Sequence, residues 1–228
     1  MLFRDEHTPS LIPKSFFMFS IIMSTYIAGY LMFANIDDMS SWLQPYKTHG
    51  TYARQLILIS CLIFYIFRLG ITTFVFLKRK LVWGEAILIA GLMSLALFSF
   101  AYVGGGSQKA INILDYSGII LFLVGSWINT QSEYTRYIWK QNVLNKGKLY
   151  TGGLFKYSMH INYFGDLILF IGLALITQTF SLLIIPLVMA LNFVIYVIPS
   201  LNKYLENKYS DDFKEYASKT KKLIPGIY

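Results

Sequence analysis

Gly152–Asp166, GGLFKYSMHINYFGD, is the stretch on which the reading of this chain turns. It leaves a polar, basic segment (134–150) and runs straight into an apolar run from Leu167 to Val197. A change of character this abrupt marks the level where water meets a bilayer, and His160, Asn162, Tyr163 and Asp166 stand at it. A cofactor with a charged tail and a lipid-like substrate could meet there.

The rest of the chain agrees with a membrane setting. Of its 228 residues, 55% are hydrophobic, 17% aromatic and only 14% charged, which is far more apolar than a soluble domain. The net charge of +8 comes from basic residues that flank apolar spans, so nucleic acid is not the expected partner. The single cysteine, Cys61, lies inside an apolar run, which excludes an internal disulfide and a cysteine metal cage. The first fifteen residues are polar and lack the small-residue cleavage site of a secretory signal.

Working outward, the spacing predicts spans over about Ser15–Ala34, Gln55–Leu77, Val82–Val103 and Ile111–Asn129, each close to the roughly 20 residues a helix needs to cross hydrocarbon. Leu167–Val197 is too long for one crossing. With Gln178, Thr179 and Ser181 near its centre it reads as a hairpin of two short helices, the second bent by Pro186. The tail from Ser200 reads as amphipathic and surface-lying. Gly104, Gly105 and Gly106 read as a tight turn, since they follow a membrane span and match no phosphate-loop spacing.

The expectation is an all-α polytopic bundle of about six to seven transmembrane helices forming one domain over 1–228. Basic residues fall almost entirely on one side, leaving Lys47, Arg54 and Lys109 on the other, which predicts both termini in the cytosol. A bacterial inner membrane or the endoplasmic reticulum would suit such a chain.

Several residues are costly where they stand. Arg68 falls mid-span, where insertion costs about 2.5 to 3.5 kcal/mol, so it must face the bundle interior and find a partner. The bland reading is an ion pair with Glu85 or another acid. Tyr65 precedes Arg68 by three positions and shares its helical face. Asn162 and Asp166, four apart, share a face if their segment is helical, with Tyr163 beside them. His160 has no histidine partner at metal-ligand spacing, so no metal site is expected.

These residues carry a resemblance. Gly153, Leu154, Tyr157, His160, Asn162, Tyr163, Gly165 and Asp166, followed by Phe213, Tyr216, Ile224 and Pro225, resemble the C-terminal region of the steroid 5-alpha-reductase and sterol-reductase superfamily, whose usual form is G-L-W-x-x-x-R-H-P-N-Y-x-G-(E/D). Isoprenylcysteine carboxyl methyltransferases share that fold and a related signature, with S-adenosylmethionine as cofactor. Met159 and Ile161 stand where the family has arginine and proline, and Lys156, one turn earlier, could replace the lost cation.

The resemblance implies a membrane-embedded, NADPH-dependent reductase of a carbon–carbon double bond in a steroid, sterol or other isoprenoid lipid. Residues 1–110 would face the substrate and 111–228 the cofactor. Tyr65 and Asp166 would be catalytic; Arg68, Asn129, Glu133, Lys156, His160, Asn162, Tyr163 and Tyr209 would bind the cofactor. Two alternatives stay open: a methyltransferase using S-adenosylmethionine on an isoprenylcysteine or phospholipid, and a non-catalytic membrane protein that keeps the fold. The implied partners are a lipophilic small molecule and the bilayer itself.

Overall fold

A computed structural model describes residues 10–228. All of its regular structure among them is helical apart from one isolated bridge between Ser158 and Lys221. Four long helices come first: α1 (Leu11–Phe33), α2 (Tyr52–Ile71), α3 (Trp83–Gly105) and α4 (Ile113–Gln141). They are followed by α5 (Ile161–Thr177), α6 (Ile184–Asn192) and α7 (Ile198–Lys219). The helical path of α2 continues as a π turn over Thr72–Phe76, and another π turn, Phe193–Val197, joins α6 to α7. Five stretches are long and apolar enough to cross a membrane; α5, at 17 residues, is shorter but equally apolar. The protein is thus a multi-pass helical membrane protein.

The first three spans lie where the hydrophobic runs place them. The fourth does not end at Asn129: α4 runs on to Gln141, because apolarity stops there but helical periodicity does not. The hairpin turns at Gln178, which adopts a left-handed conformation (φ 53°). Pro186 lies in the first turn of α6, where a missing N–H costs little, and the irregularities come later, in the π turn and at a kink at Ser210 (φ 45°). Gly104 and Gly105 close α3 instead of forming a loop, and a Cβ on Gly104 would meet Leu58 and Thr177 at 2.7 Å. Arg4 and His7 lie outside the described residues.

The tightest packing in the bundle joins α4 to α5. Gly118 of α4 faces Gly172 of α5, and Gly125 faces Gly165, two pairs seven residues apart on antiparallel helices. A Cβ on Gly118 would stand 2.7 Å from the Gly172 carbonyl oxygen, and one on Gly165 would stand 2.7 Å from the Asn129 amide nitrogen. Lipid tails give helices no hydrophobic reason to associate, so close backbone approach at small residues supplies the contact instead.

Lysines in the polar connections secure the helix ends. The ammonium of Lys47 donates to the carbonyls of Met32 and Ala34 at the end of α1; Lys109 donates to Gln178 O at 2.8 Å beyond α5. Each satisfies carbonyls that a helix terminus leaves without partners. Beside them Arg54 and Asp115, both with fully buried side chains, form a two-pronged ion pair at 3.1 and 3.2 Å. Arg54 also donates to Ile176 O (3.0 Å) and Lys109 O (2.6 Å), so one guanidinium ties the starts of α2 and α4 to the end of α5. These bonds make a buried charge tenable in a low-dielectric interior.

Candidate active site

At the opposite end of the bundle α4 projects beyond its apolar part, and the face bearing Asn129, Glu133, Arg136 and Lys140 lines a cavity of about 580 Å³. The stretch that follows α2 (72–79), the segment 149–166 and one face of α7 supply the other walls. Among the described residues, no cluster of His, Cys, Asp or Glu could hold a metal ion.

The floor is a hydrogen-bonded chain across three helices. Arg68 of α2 donates through Nη1 to Oδ1 of Asn129 and through Nη2 to Oδ1 of Asp166 at 3.0 Å. Asn129 donates to the Asn162 carbonyl at 3.1 Å, and Asn162 donates to Glu133 Oε1 at 2.9 Å. Glu133 receives Arg136 at 2.5 Å on its other oxygen. Buried polar groups must be satisfied, and here each buys its neighbour's orientation. One group is left over: Nε of Arg68 is buried with no hydrogen-bond partner. Glu85, the other acid considered for Arg68, is bonded to Arg79 instead.

The walls combine cations with aromatic rings. Lys78 sits 5.2 Å from the ring centre of Tyr137, Arg136 lies 5.6 Å from that of Phe155, and Lys208 rests against Tyr204 and Tyr209. Arg79 and Lys140 complete the basic lining. These five cations and Arg68, set against the carboxylates of Glu85, Glu133 and Asp166, leave the cavity electropositive, and its rings offer flat faces for stacking.

Asn129, Glu133, His160, Asn162, Tyr163, Asp166 and Tyr209 all line the cavity, and Arg68 forms its base through Asn129 and Asp166. Besides Arg68, which lies beneath the walls, two expected residues do not line it. Lys156 is exposed, outside the cavity walls. Tyr65 is buried one turn deeper, edge-on to Phe170 at 5.7 Å, with the Arg68 guanidinium 5.1 Å from its ring centre. Sequence reading gave no site role to Arg136, Lys140, Tyr150, Tyr204, Lys208 or Tyr216, the last of them named only within the terminal signature. The first two were legible in principle, since they continue the face of Asn129 and Glu133 at helical spacing.

The segment carrying His160 is held by the tail. Backbone amides of Met159 and His160 donate to Lys221 O (2.8 Å) and Lys222 O (3.0 Å), and the Tyr216 hydroxyl donates to Phe155 O at 2.6 Å. The His160 ring, just outside the apolar span, bonds Asn202 of α7 at 2.8 Å and is stacked on Tyr163, itself stacked on Phe193. Burial pushes its pKa down to about 4; the Asn202 bond opposes this and the charge of Arg136 adds to it.

Residues 67–220, about two thirds of the chain, match the family described as protein of unknown function (DUF1295), which belongs to the steroid 5-alpha-reductase-like superfamily. A segment of 80 residues, 35% of the chain, is 40% identical to the probable O-methyltransferase ustE of Ustilaginoidea virens. That segment covers 28% of the relative's length.

Proposed function

The chain belongs to the DUF1295 family, and we propose from the cavity it builds that it is an NADPH-dependent reductase of a carbon–carbon double bond in a lipophilic, isoprenoid-type substrate. The observation that carries this reading is the pairing of five basic side chains with a polar floor at the end of an apolar bundle. Such a lining suits a polyanionic cofactor with planar rings, and its donors match phosphate and carboxamide groups better than the phosphate-free S-adenosylmethionine.

In this reading Lys78, Arg79, Arg136, Lys140 and Lys208 hold phosphates, while Asn129, Glu133, Asn162 and Tyr209 orient the rest of the cofactor. Bound there, a reduced nicotinamide supplies hydride. Asp166 keeps the Arg68 guanidinium fixed between the cavity and the core, and the lipid is received on the membrane side of that guanidinium. Tyr65 donates a hydrogen bond to the carbonyl oxygen of a substrate whose double bond is conjugated to that carbonyl, where negative charge develops as hydride adds to the far carbon; a proton delivered to the carbon beside the carbonyl completes the reduction, and in a site closed to water the Tyr65 bond acts at full strength. Both termini and the cavity face the cytosol, where NADPH is found.

A second reading is favoured by the probable O-methyltransferase relative: methyl transfer from S-adenosylmethionine to a lipid. Thermal unfolding of the detergent-purified protein separates the two. A ligand at about 100 times its dissociation constant adds roughly 2.7 kcal/mol to the folded state. A raised midpoint with NADPH and not with S-adenosylmethionine is expected. The reverse pattern establishes the methyltransferase reading, and no shift with either removes both.

A further inference from the structure

His160 lines the cavity, yet its ring is already engaged. Nε2 lies 2.8 Å from Oδ1 of Asn202, a carboxamide oxygen on α7. Such an oxygen only accepts, so Nε2 carries the proton of this bond. In a neutral imidazole the second nitrogen, Nδ1, is then an acceptor with no proton to give.

We propose that Asn202 is a positioning residue that fixes His160 as the neutral Nε2–H tautomer, so that the ring offers a bound cofactor an acceptor for a hydroxyl or amide N–H instead of a cation for a phosphate. This rests on the cavity being the cofactor site. The anchoring of His160 on every side supports it. Its backbone amide is spent on Lys222 O and, at 3.3 Å, on Ser158 Oγ. Its ring plane is held within 11° of that of Tyr163, at a centroid distance of 5.6 Å.

The groups that face the ring are consistent with neutrality. From α4 comes the Arg136 guanidinium, which disfavours a second positive charge. The tail contributes carbonyls, α5 the Tyr163 phenol, and α7 the uncharged Asn202. Glu133, Asp166, Lys208, Tyr209 and Tyr216 share the cavity, and Glu133 is already bonded to Arg136 and Asn162. With the side chain 2% exposed, burial drives the same way and holds the pKa near 4.

The test uses the full chain labelled with ¹⁵N-histidine in detergent, without ligand. The His160 signals, assigned by their loss in His160→Gln, should show a protonated Nε2 and a bare Nδ1 from about pH 5.5 to 8. The Nδ1–H tautomer, or a midpoint near the ordinary value of about 6.5, overturns the proposal. In Asn202→Asp a carboxylate replaces the carboxamide, and both ring nitrogens should be protonated at pH 7. NADPH affinity should then fall about 5- to 150-fold, as for a lost hydrogen bond to a buried partner. Unchanged affinity in a variant whose ring has become charged overturns the acceptor role. Failure of the wild type to bind NADPH counts against the cofactor reading of the cavity, while the ligand-free spectra still decide the role of Asn202.

Discussion

Tyr65, Asp115 and His160 show three different duties for a single buried residue. Tyr65 packs in the core beneath Arg68, so Tyr65→Phe removes one hydroxyl and little packing. Turnover with an enone steroid should fall by a factor of 100 or more while NADPH affinity stays within about twofold, as for a donor felt mainly in the transition state; reduction at the normal rate removes Tyr65 from the chemistry. Asp115→Ala leaves Arg54 charged in a dry interior and should cost about 3 to 5 kcal/mol in denaturant unfolding. Replacing both partners by leucine or methionine should recover much of that loss. His160 is held neutral below its unfolded pKa of about 6.5, so the unfolded chain binds the extra proton first. Stability should therefore be full above about pH 6.5 and fall as the pH drops toward 4, by on the order of 2 kcal/mol between pH 7 and pH 5. His160→Gln should flatten that slope, and a slope unchanged by the substitution would assign it to other groups. Of these residues Tyr65 and His160 stood out in the sequence. The Arg54–Asp115 pair did not, because an arginine at the end of an apolar run reads as a topology signal, and nothing local reveals an acid 61 positions away.

At the scale of elements, the α4–α5 contact decides whether a site exists. Gly165 lies where a Cβ would press on the Asn129 amide, and Asn129 is the residue that grips the start of α5. Gly165→Ala should separate the helices, lower stability by about 1 to 3 kcal/mol and weaken NADPH binding together. Gly91→Ala is the control: nothing lies within 4 Å of its Cβ, so α3 should be unharmed or gain up to about 1 kcal/mol. Equal effects from both substitutions would mean that the close approach is not what positions Asn129. Spans were legible because a 20-residue apolar run has few other physical solutions. The far end of α4 was not, since hydropathy reports where lipid stops and not where hydrogen bonds stop. Treating Asn129 as the boundary hid the turn-by-turn continuation beyond Glu133, through Arg136 and Lys140, that completes the cavity wall. The paired glycines were equally silent, as each looks in sequence like an ordinary small residue in an apolar run.

For the whole molecule, the asymmetry of charge predicts its orientation. With Cys61 replaced by serine, a cysteine at Lys148 or Lys221 should be labelled only from the cytosolic side, and one at His49 only from the opposite side. Labelling in the reverse sense would put the cavity away from cytosolic NADPH and remove the basis of the reductase reading. The ion pairs impose a condition on biogenesis as well. Arg54 and Arg68 both belong to α2, yet Asp115 comes 61 residues after the first and Asp166 comes 98 after the second. At a translation rate of about 5 to 20 residues per second, α2 waits roughly five to twenty seconds for its last counter-charge to be made. Until then the ribosome-bound chain carries an arginine whose partner does not yet exist. The nascent α2 should therefore stay at the insertion machinery until α4 and α5 are made, and site-specific crosslinking of stalled chains that finds α2 already in lipid before Asp166 is synthesised would refute this.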